Sequence, residues 1–238
     1  MPQSRLKKKT VSSEFQGFPT AGLRFLADLK KHNDRDWFKE RKEIYDTQVH
    51  EPMEALVAAL AGEFRSRKIP LFPKERNPVM RVYRDIRFSK NKTPYKTHVA
   101  TELRRSFATE GGMLYLHISP AESFAAAGVW QPDRTQLQLW RQAMVDDPKA
   151  WNKVVADLKK KGLELSSEYA LSVMPRGFQM HEALAPWLKL TSYVTSRPIP
   201  KPDCPGPDLV ESILSFVEAA RPLLDWSWRL EPKPKALD

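Results

Sequence analysis

The chain has 238 residues, and hydrophobic residues make up 41% of it, including seven Trp and eleven Phe. This apolar content is enough for a large core and excludes disorder of the whole chain. No apolar run approaches the roughly 18 residues of a membrane span, and the N-terminus lacks the apolar segment of a signal peptide. We therefore expect a cytoplasmic protein without a membrane partner.

The net charge of +10 is concentrated in two segments. Residues 1–10 carry four basic and no acidic side chains, and residues 81–105 carry eight basic and two acidic ones. These segments account for the whole excess, so the rest of the chain is neutral. An excess this localised indicates an anionic partner more than a generally basic surface.

The N-terminal part predicts a flexible basic tail over residues 1–17, followed by helices. From Thr20, apolar residues recur at helical spacing, and a second helix begins after Asp34, whose side chain is a good N-cap. Pro52 is predicted as the first residue of a third helix, because the apolar residues after it follow one helical stripe.

Further along the chain the apolar period changes from 3.6 to 2. The segment VMRVYRDIRF, residues 79–88, predicts a strand, and THVATELRR, MLYLHIS and SFAAAGVW predict three more. Short connections between them favour an antiparallel meander. Arg84 is the exception in the first strand, because it falls on the side of the strand that carries the apolar residues. It therefore needs a carboxylate partner, a bulge or an open site there.

The C-terminal part returns to helices. Asp147, Pro148 and Gly162 are start and stop signals for one of them, and a long closing helix is predicted to end or kink at Pro222. SVMPRGF and WLKLTSYVTSRPIP each predict a further strand at most. The fold class is therefore α+β, with a largely antiparallel sheet of about four to six strands flanked by helices from both ends. We predict a single domain over residues 18–226 and a frayed tail over residues 227–238.

Residues 81–98 contain a dense run of charged and aromatic side chains. They match the signature RxxRDxRFxx[DN]KxxY at every fixed position, from Arg81 to Tyr95. The chain thus resembles the domain-of-unknown-function 2461 family, a bacterial family of conserved hypothetical proteins. Four stretches outside the signature also resemble the family's sequence pattern and occur in the same order: FLADLKKHNDRDWF, YLHISP, AAGVWQPD and PRGF. The resemblance implies no established activity.

A cationic cluster in this signature predicts a site for a small ligand that bears phosphate or carboxylate. The five candidate ligand-binding residues are Arg81, Arg84, Arg87, Lys92 and Lys96. Arginine offers a planar donor fork that suits such groups, and lysine adds a point charge. Asp85 would orient the arginines, and whether the ligand is only bound or also turned over stays open.

Two alternatives compete with this interpretation. In the first, the signature is a structural network: Asp85 pairs with Arg81 or Arg87, and a buried Arg84 bonds to carbonyls or a helix carboxylate, so that its truncation costs about 3–5 kcal/mol. In the second, the basic tail and the cluster bind nucleic acid, with aromatic side chains as stacking platforms. The absence of any helix-turn-helix, zinc-finger or RNP spacing weighs against the second.

Asp85, Tyr95, His98 and His117 are the candidate acid or base groups if catalysis occurs. His98 and His117 could lie on neighbouring strands. The five histidines are isolated and show no metal-ligand spacing, and there is no GxGxxG, Walker or GxSxG motif. We therefore expect no metal and no other cofactor.

Overall fold

The computed structural model of the protein describes residues 15–107, 111–200, 206 and 208–231. Most of the predicted tail, residues 1–14, lies outside this description, but Phe15 at its end is buried against Phe18. The N-terminal helices are α1 (Thr20–Lys31), α2 (Arg35–Glu40), α3 (Lys42–Tyr45) and α4 (Glu51–Ser66).

The predicted second helix is divided, because α2 and α3 meet at Arg41 and a π-helical turn over Asp46–His50 then leads into α4. Asp34 caps α2 as predicted, and its carboxylate accepts a hydrogen bond from the backbone N–H of Trp37 at 2.9 Å. Pro52 lies in the first turn of α4, where its missing N–H costs nothing.

Within the described residues, five strands form one antiparallel sheet in the order β1–β2–β3–β4–β5. The strands are β1 (Phe72–Pro73), β2 (Val99–Arg104), β3 (Met113–Ile118), β4 (Ser123–Val129) and β5 (Tyr193–Ile199). Short connections join β2, β3 and β4 into the predicted meander. The predicted α+β class with a largely antiparallel sheet is confirmed.

The sheet has one face in the core and one face open. Leu103, Leu114 and Ala127 lie side by side on the core face, where the long helix α8 (Leu209–Leu230) packs over β4 and β5. The opposite face carries residues such as Glu102 and Tyr115, which are only half-buried. Alternating side-chain directions along each strand produce this division.

Other helices close the C-terminal side. They are α5 (Arg134–Asp146), α6 (Pro148–Lys160), a 3₁₀ turn (Glu182–Leu184) and α7 (Ala185–Leu188). α6 begins as predicted, with the Asp147 carboxylate accepting from the backbone N–H of Ala150 at 3.0 Å. α8 continues through Pro222 and buries Trp228, so the predicted domain end at residue 226 lies inside this helix.

The first predicted strand, residues 79–88, is not formed. Val79 and Tyr83 each make one isolated bridge, to Thr101 and Tyr95 respectively. The alternation of apolar residues did not produce a buried face, because Ile86 is only half-buried and Phe88 is 95% exposed. Among the described residues, the segment has no continuous partner strand beyond these two bridges. SVMPRGF is likewise not a strand.

Candidate functional site

The signature segment folds back on itself as a short pair of extended stretches. The backbone N–H of Lys96 donates to the Val82 carbonyl at 2.8 Å, and that of Arg84 donates to the Pro94 carbonyl at 2.9 Å. These bonds place Tyr83 opposite Tyr95. Residues 85–93 form the loop between the two stretches.

Asn33, in the turn between α1 and α2, ties this segment to the N-terminal helices. Its side-chain amide donates to the Tyr95 carbonyl and its side-chain oxygen accepts from the Tyr95 N–H, both at 3.0 Å. The Tyr95 ring stacks on Phe38 of α2, with centroids 4.1 Å apart. The signature is therefore held against the side of α2 that carries the buried Phe38.

A cleft of about 490 Å³ lies between these two parts of the chain. Its lining residues are Arg35, Phe38, Lys39, Lys42, Tyr83, Arg84, Ile86, Pro94 and Tyr95. Four of them are cations, and none is an acid. The aromatic and apolar members form walls between the charged side chains.

The cations of the cleft differ in their partners. Arg84 is half-buried, and its guanidinium donates to the Thr93 carbonyl at 3.3 Å and to the Thr93 hydroxyl. Lys42 pairs with Asp46 one helical turn away. Among the described residues, Arg35, Lys39 and Arg84 form no ion pair with a carboxylate.

Two carboxylates nevertheless lie near the cleft. Burial, first, and then the neighbouring Tyr83 raise the pKa of Tyr95. Arg35 lowers this pKa, and Asp34 and Asp36 each raise it by a smaller amount. Asp34 is already engaged as the N-cap of α2. The Tyr95 phenol is consequently protonated at neutral pH and can donate a hydrogen bond.

Asp85 and Arg87 pair with each other outside the cleft. The guanidinium donates to both carboxylate oxygens, at 2.7 and 3.0 Å, and the Arg87 backbone N–H donates to one of them at 3.2 Å. The hydrogen bonds from Arg87, with a smaller effect of Arg81, hold the pKa of Asp85 below its usual range. Asp85 thus orients Arg87 and does not reach Arg84.

The remaining signature cations are spread over the surrounding surface. Lys92 donates from Nζ to the Ile86 carbonyl at 3.0 Å and so closes the loop over residues 85–93. Lys96 is half-buried, and burial together with the charge of Arg81 lowers its pKa. Of the five predicted ligand-binding residues, only Arg84 lines the cleft.

His98 and His117 do meet, but only His117 lies on a strand, β3, because His98 is in the bend directly before β2. Their ring centroids are 4.0 Å apart, and the His117 ring stacks on Phe124 at 4.9 Å. Burial, His117 and Lys96 lower the pKa of His98 to about 4. Burial also lowers the pKa of His117, so both imidazoles are neutral at physiological pH, and neither lines the cleft.

The sequence analysis missed Arg35, Lys39 and Lys42. A signal for them exists, because their spacing of i, i+4 and i+7 places three basic residues on one helical face. In the structure all three still line the same cleft, although α2 ends at Glu40, before Lys42. That face meets the signature segment across the cleft.

The fold and the cleft define an α+β protein with a five-stranded antiparallel sheet and a cationic site between its N-terminal helices and the loop that precedes β2. The model of the domain-of-unknown-function 2461 family, described as a conserved hypothetical protein, matches residues 21–226. The chain belongs to this family. No curated protein and no solved structure matches it. In the described part of the chain, no helix is long and apolar enough to span a membrane.

Proposed function

We propose that this protein binds a small ligand bearing phosphate or carboxylate in the cleft between α2, α3 and the signature segment. One observation carries the proposal: four cations and no acid line a cleft of about 490 Å³, and three of those cations have no carboxylate partner among the described residues. Like charges held together without counterions favour binding of an anion. We place this activity in the cytoplasm.

Arg84 is the central ligand-binding residue of this proposal. Thr93 fixes one side of its guanidinium, and the N–H groups that do not bond to Thr93 make no hydrogen bond with another described residue. A planar donor fork fixed in this way suits two oxygens of a phosphate or carboxylate. Arg35 and Lys39, which are exposed, would add charge at the rim.

Binding, without turnover, is the function that this geometry supports. Of the four candidate acid or base residues, only Tyr95 lines the cleft, and its raised pKa makes it a poor proton acceptor at neutral pH. Asp85 is engaged with Arg87. An exposed Tyr83 ring supplies an apolar wall, so a ligand with both an anionic group and an apolar body would use the whole cleft.

The test is a thermal-shift screen of phosphate- and carboxylate-bearing metabolites, followed by titration calorimetry of those that stabilise the protein. Wild type is compared with Arg84→Ala and Lys39→Ala. Lys92→Ala is the matched control, because it removes a signature cation that does not line the cleft. We expect binding to wild type and to the control, and weakened binding to both cleft variants.

The proposal fails if no anion stabilises wild type more than a folded Arg84→Ala protein. It also fails if Lys92→Ala weakens binding as much as Arg84→Ala does. An oligonucleotide titration at low salt covers the nucleic-acid alternative. Binding of nucleic acid that persists after deletion of residues 1–14 and is lost in Lys39→Ala would assign the cleft to a polyanion instead.

A further inference from the structure

The open face of the sheet carries a second and larger groove, of about 720 Å³. The strand register aligns its side chains in rows that run across β2, β3, β4 and β5. The two rows that line the groove most fully are Glu102, Tyr115, Ala126 and Ser196, and Arg104, Met113, Gly128 and Val194. None of these residues lines the cationic cleft.

Small and large side chains alternate to give this groove a floor and walls. Ala126, Gly128 and Ser196 provide a low floor over β4 and β5. Four aromatic side chains stand around it: Tyr115, Phe124, Trp130 and Tyr169. Trp130 is 44% exposed and meets Tyr169 edge to face, with centroids 5.2 Å apart. Trp130 and Tyr169 are therefore exposed apolar surface, whereas Tyr115 and Phe124 are half-buried.

The charge of the groove is opposite to that of the whole chain. Three carboxylates line it, from Glu102, Glu122 and Glu168, and one cation, from Arg104. Arg104 is already paired with Glu102 at 3.0 Å. In a chain with ten more basic than acidic residues, this groove therefore keeps two carboxylates that form no ion pair with a described cation.

We infer that this groove binds an organic cation, an amine or a guanidinium joined to an apolar body. Aromatic faces attract a cation through their quadrupole, and nearby carboxylates add direct charge attraction. Trp130 with Tyr169 and Glu168 form such a combination after the end of β4, and Phe124 with Glu122 form another at its start. The small residues between them leave room for the apolar body of the ligand.

This inference is independent of the cationic cleft, because the two sites have different lining residues and opposite charge. The experiment uses three compounds that share a phenyl ring and an alkyl chain: 4-phenylbutylamine, 4-phenylbutanol and 4-phenylbutyrate. Titration calorimetry of the full chain at neutral pH compares them. We expect the amine to bind about tenfold more tightly than the alcohol. Any binding of the carboxylate should be lost in Arg84→Ala and kept in Ala126→Phe, because the cationic cleft would accept it.

Three variants locate the binding. Ala126→Phe fills the floor and Trp130→Ala removes a wall, and each should weaken amine binding about tenfold or more. Glu122→Gln combined with Glu168→Gln should reduce the preference for the amine over the alcohol. Both glutamates are exposed, so this double variant should fold. Phe88→Ala is the control, because Phe88 is 95% exposed and does not line the groove.

The inference is overturned if the amine does not bind wild type, or if the amine and the alcohol bind equally. It is also overturned if folded Ala126→Phe and Trp130→Ala proteins bind the amine as wild type does. Retained binding in Phe88→Ala supports it. Binding of phosphate metabolites in the cleft serves as a separate readout, which these groove variants should leave unchanged.

Discussion

Arg84 combines partial burial with hydrogen bonds to neutral groups only. Its partners are the carbonyl and the hydroxyl of Thr93. The 3–5 kcal/mol expected for a buried ion pair therefore does not apply, because truncation leaves no buried carboxylate behind. We predict that Arg84→Ala lowers the free energy of unfolding by about 1–2 kcal/mol, the cost of losing these hydrogen bonds, as measured by urea denaturation.

Lys92→Ala serves as the reference for that measurement. Lys92 is exposed and bonds to one carbonyl, so its removal should change the free energy of unfolding by less than about 0.5 kcal/mol. A loss of 3 kcal/mol or more in Arg84→Ala, by the standard of a lost buried ion pair, would mean that Arg84 acts chiefly in the fold. An unfolded Lys92→Ala protein would make that lysine an essential brace of the loop.

The His98 and His117 pair predicts a stability that depends on pH. The pKa of His98 in the folded protein, about 4, is below the ordinary value of 6.5, so the unfolded chain binds the proton more readily. Stability from this group is complete above pH 6.5, is lost as the pH falls towards 4, and is constant below that. Allowing for solvent screening, we expect a loss of about 2 kcal/mol across this window.

Urea denaturation of wild type and of His98→Gln at several pH values between 7.5 and 4 tests this. Carboxylates titrate in both proteins, so the difference between the two curves isolates the imidazole. Lys96 and His117 disfavour a positive charge on His98. At His117, burial and Lys96 disfavour the charged form, and Glu122 partly offsets them. Parallel curves for the two proteins would show that protonation of His98 carries no stability.

At the scale of elements, the approach of α1 to the π-helical turn depends on Gly22. A β-carbon at this position would lie 2.0 Å from the Gln48 carbonyl oxygen, which is backbone and cannot rotate away. Gly22→Ala should therefore cost about 1–3 kcal/mol, although alanine is the better helix former. Thermal and urea unfolding measure the change.

Gly62 in α4 is the matched control for Gly22. A β-carbon there would meet nothing within 4 Å, so Gly62→Ala should stabilise the protein by about 0.5–1 kcal/mol through helix propensity alone. Opposite signs for two glycine-to-alanine changes in neighbouring helices are the expected result. A stabilising Gly22→Ala would mean that α1 moves away from the π-helical turn at little cost.

Elements with local signals could be predicted from the sequence. The Asp147 cap, Pro148 and Gly162 define α6, and Gly162 adopts a φ of 70° that favours glycine after a helix. β3 alternates in burial along its whole length, whereas most residues of β2 and β4 are buried. The predicted strand over residues 79–88 failed because alternation is only half of the requirement, and a strand also needs a continuous partner, which this segment lacks.

At the scale of the whole molecule, the cleft could be predicted only in part. Arg84 lies in the signature, whose charge is evident from the sequence, but Arg35 and Lys39 come from α2, some 50 residues earlier. A single sequence does not specify which surfaces of distant segments meet. Asn33 makes that connection here, and its sequence position, in a turn between helices, indicates only a capping residue.

Asn33 is therefore the residue on which the assembly of the cleft depends most directly. It satisfies both the N–H and the carbonyl of Tyr95 from a position 62 residues away, so Asn33→Ala leaves two backbone groups of a buried residue without partners. The expected cost is about 2–4 kcal/mol. Hydrogen exchange at the Tyr95 amide should become faster, and anion binding in the cleft should weaken together with it.

Asn33→Asp keeps the acceptor but loses the donor, so it should protect the amide while still losing stability. Unchanged anion affinity in a folded Asn33→Ala protein would show that the stack of Tyr95 on Phe38 holds the two walls of the cleft together without this contact.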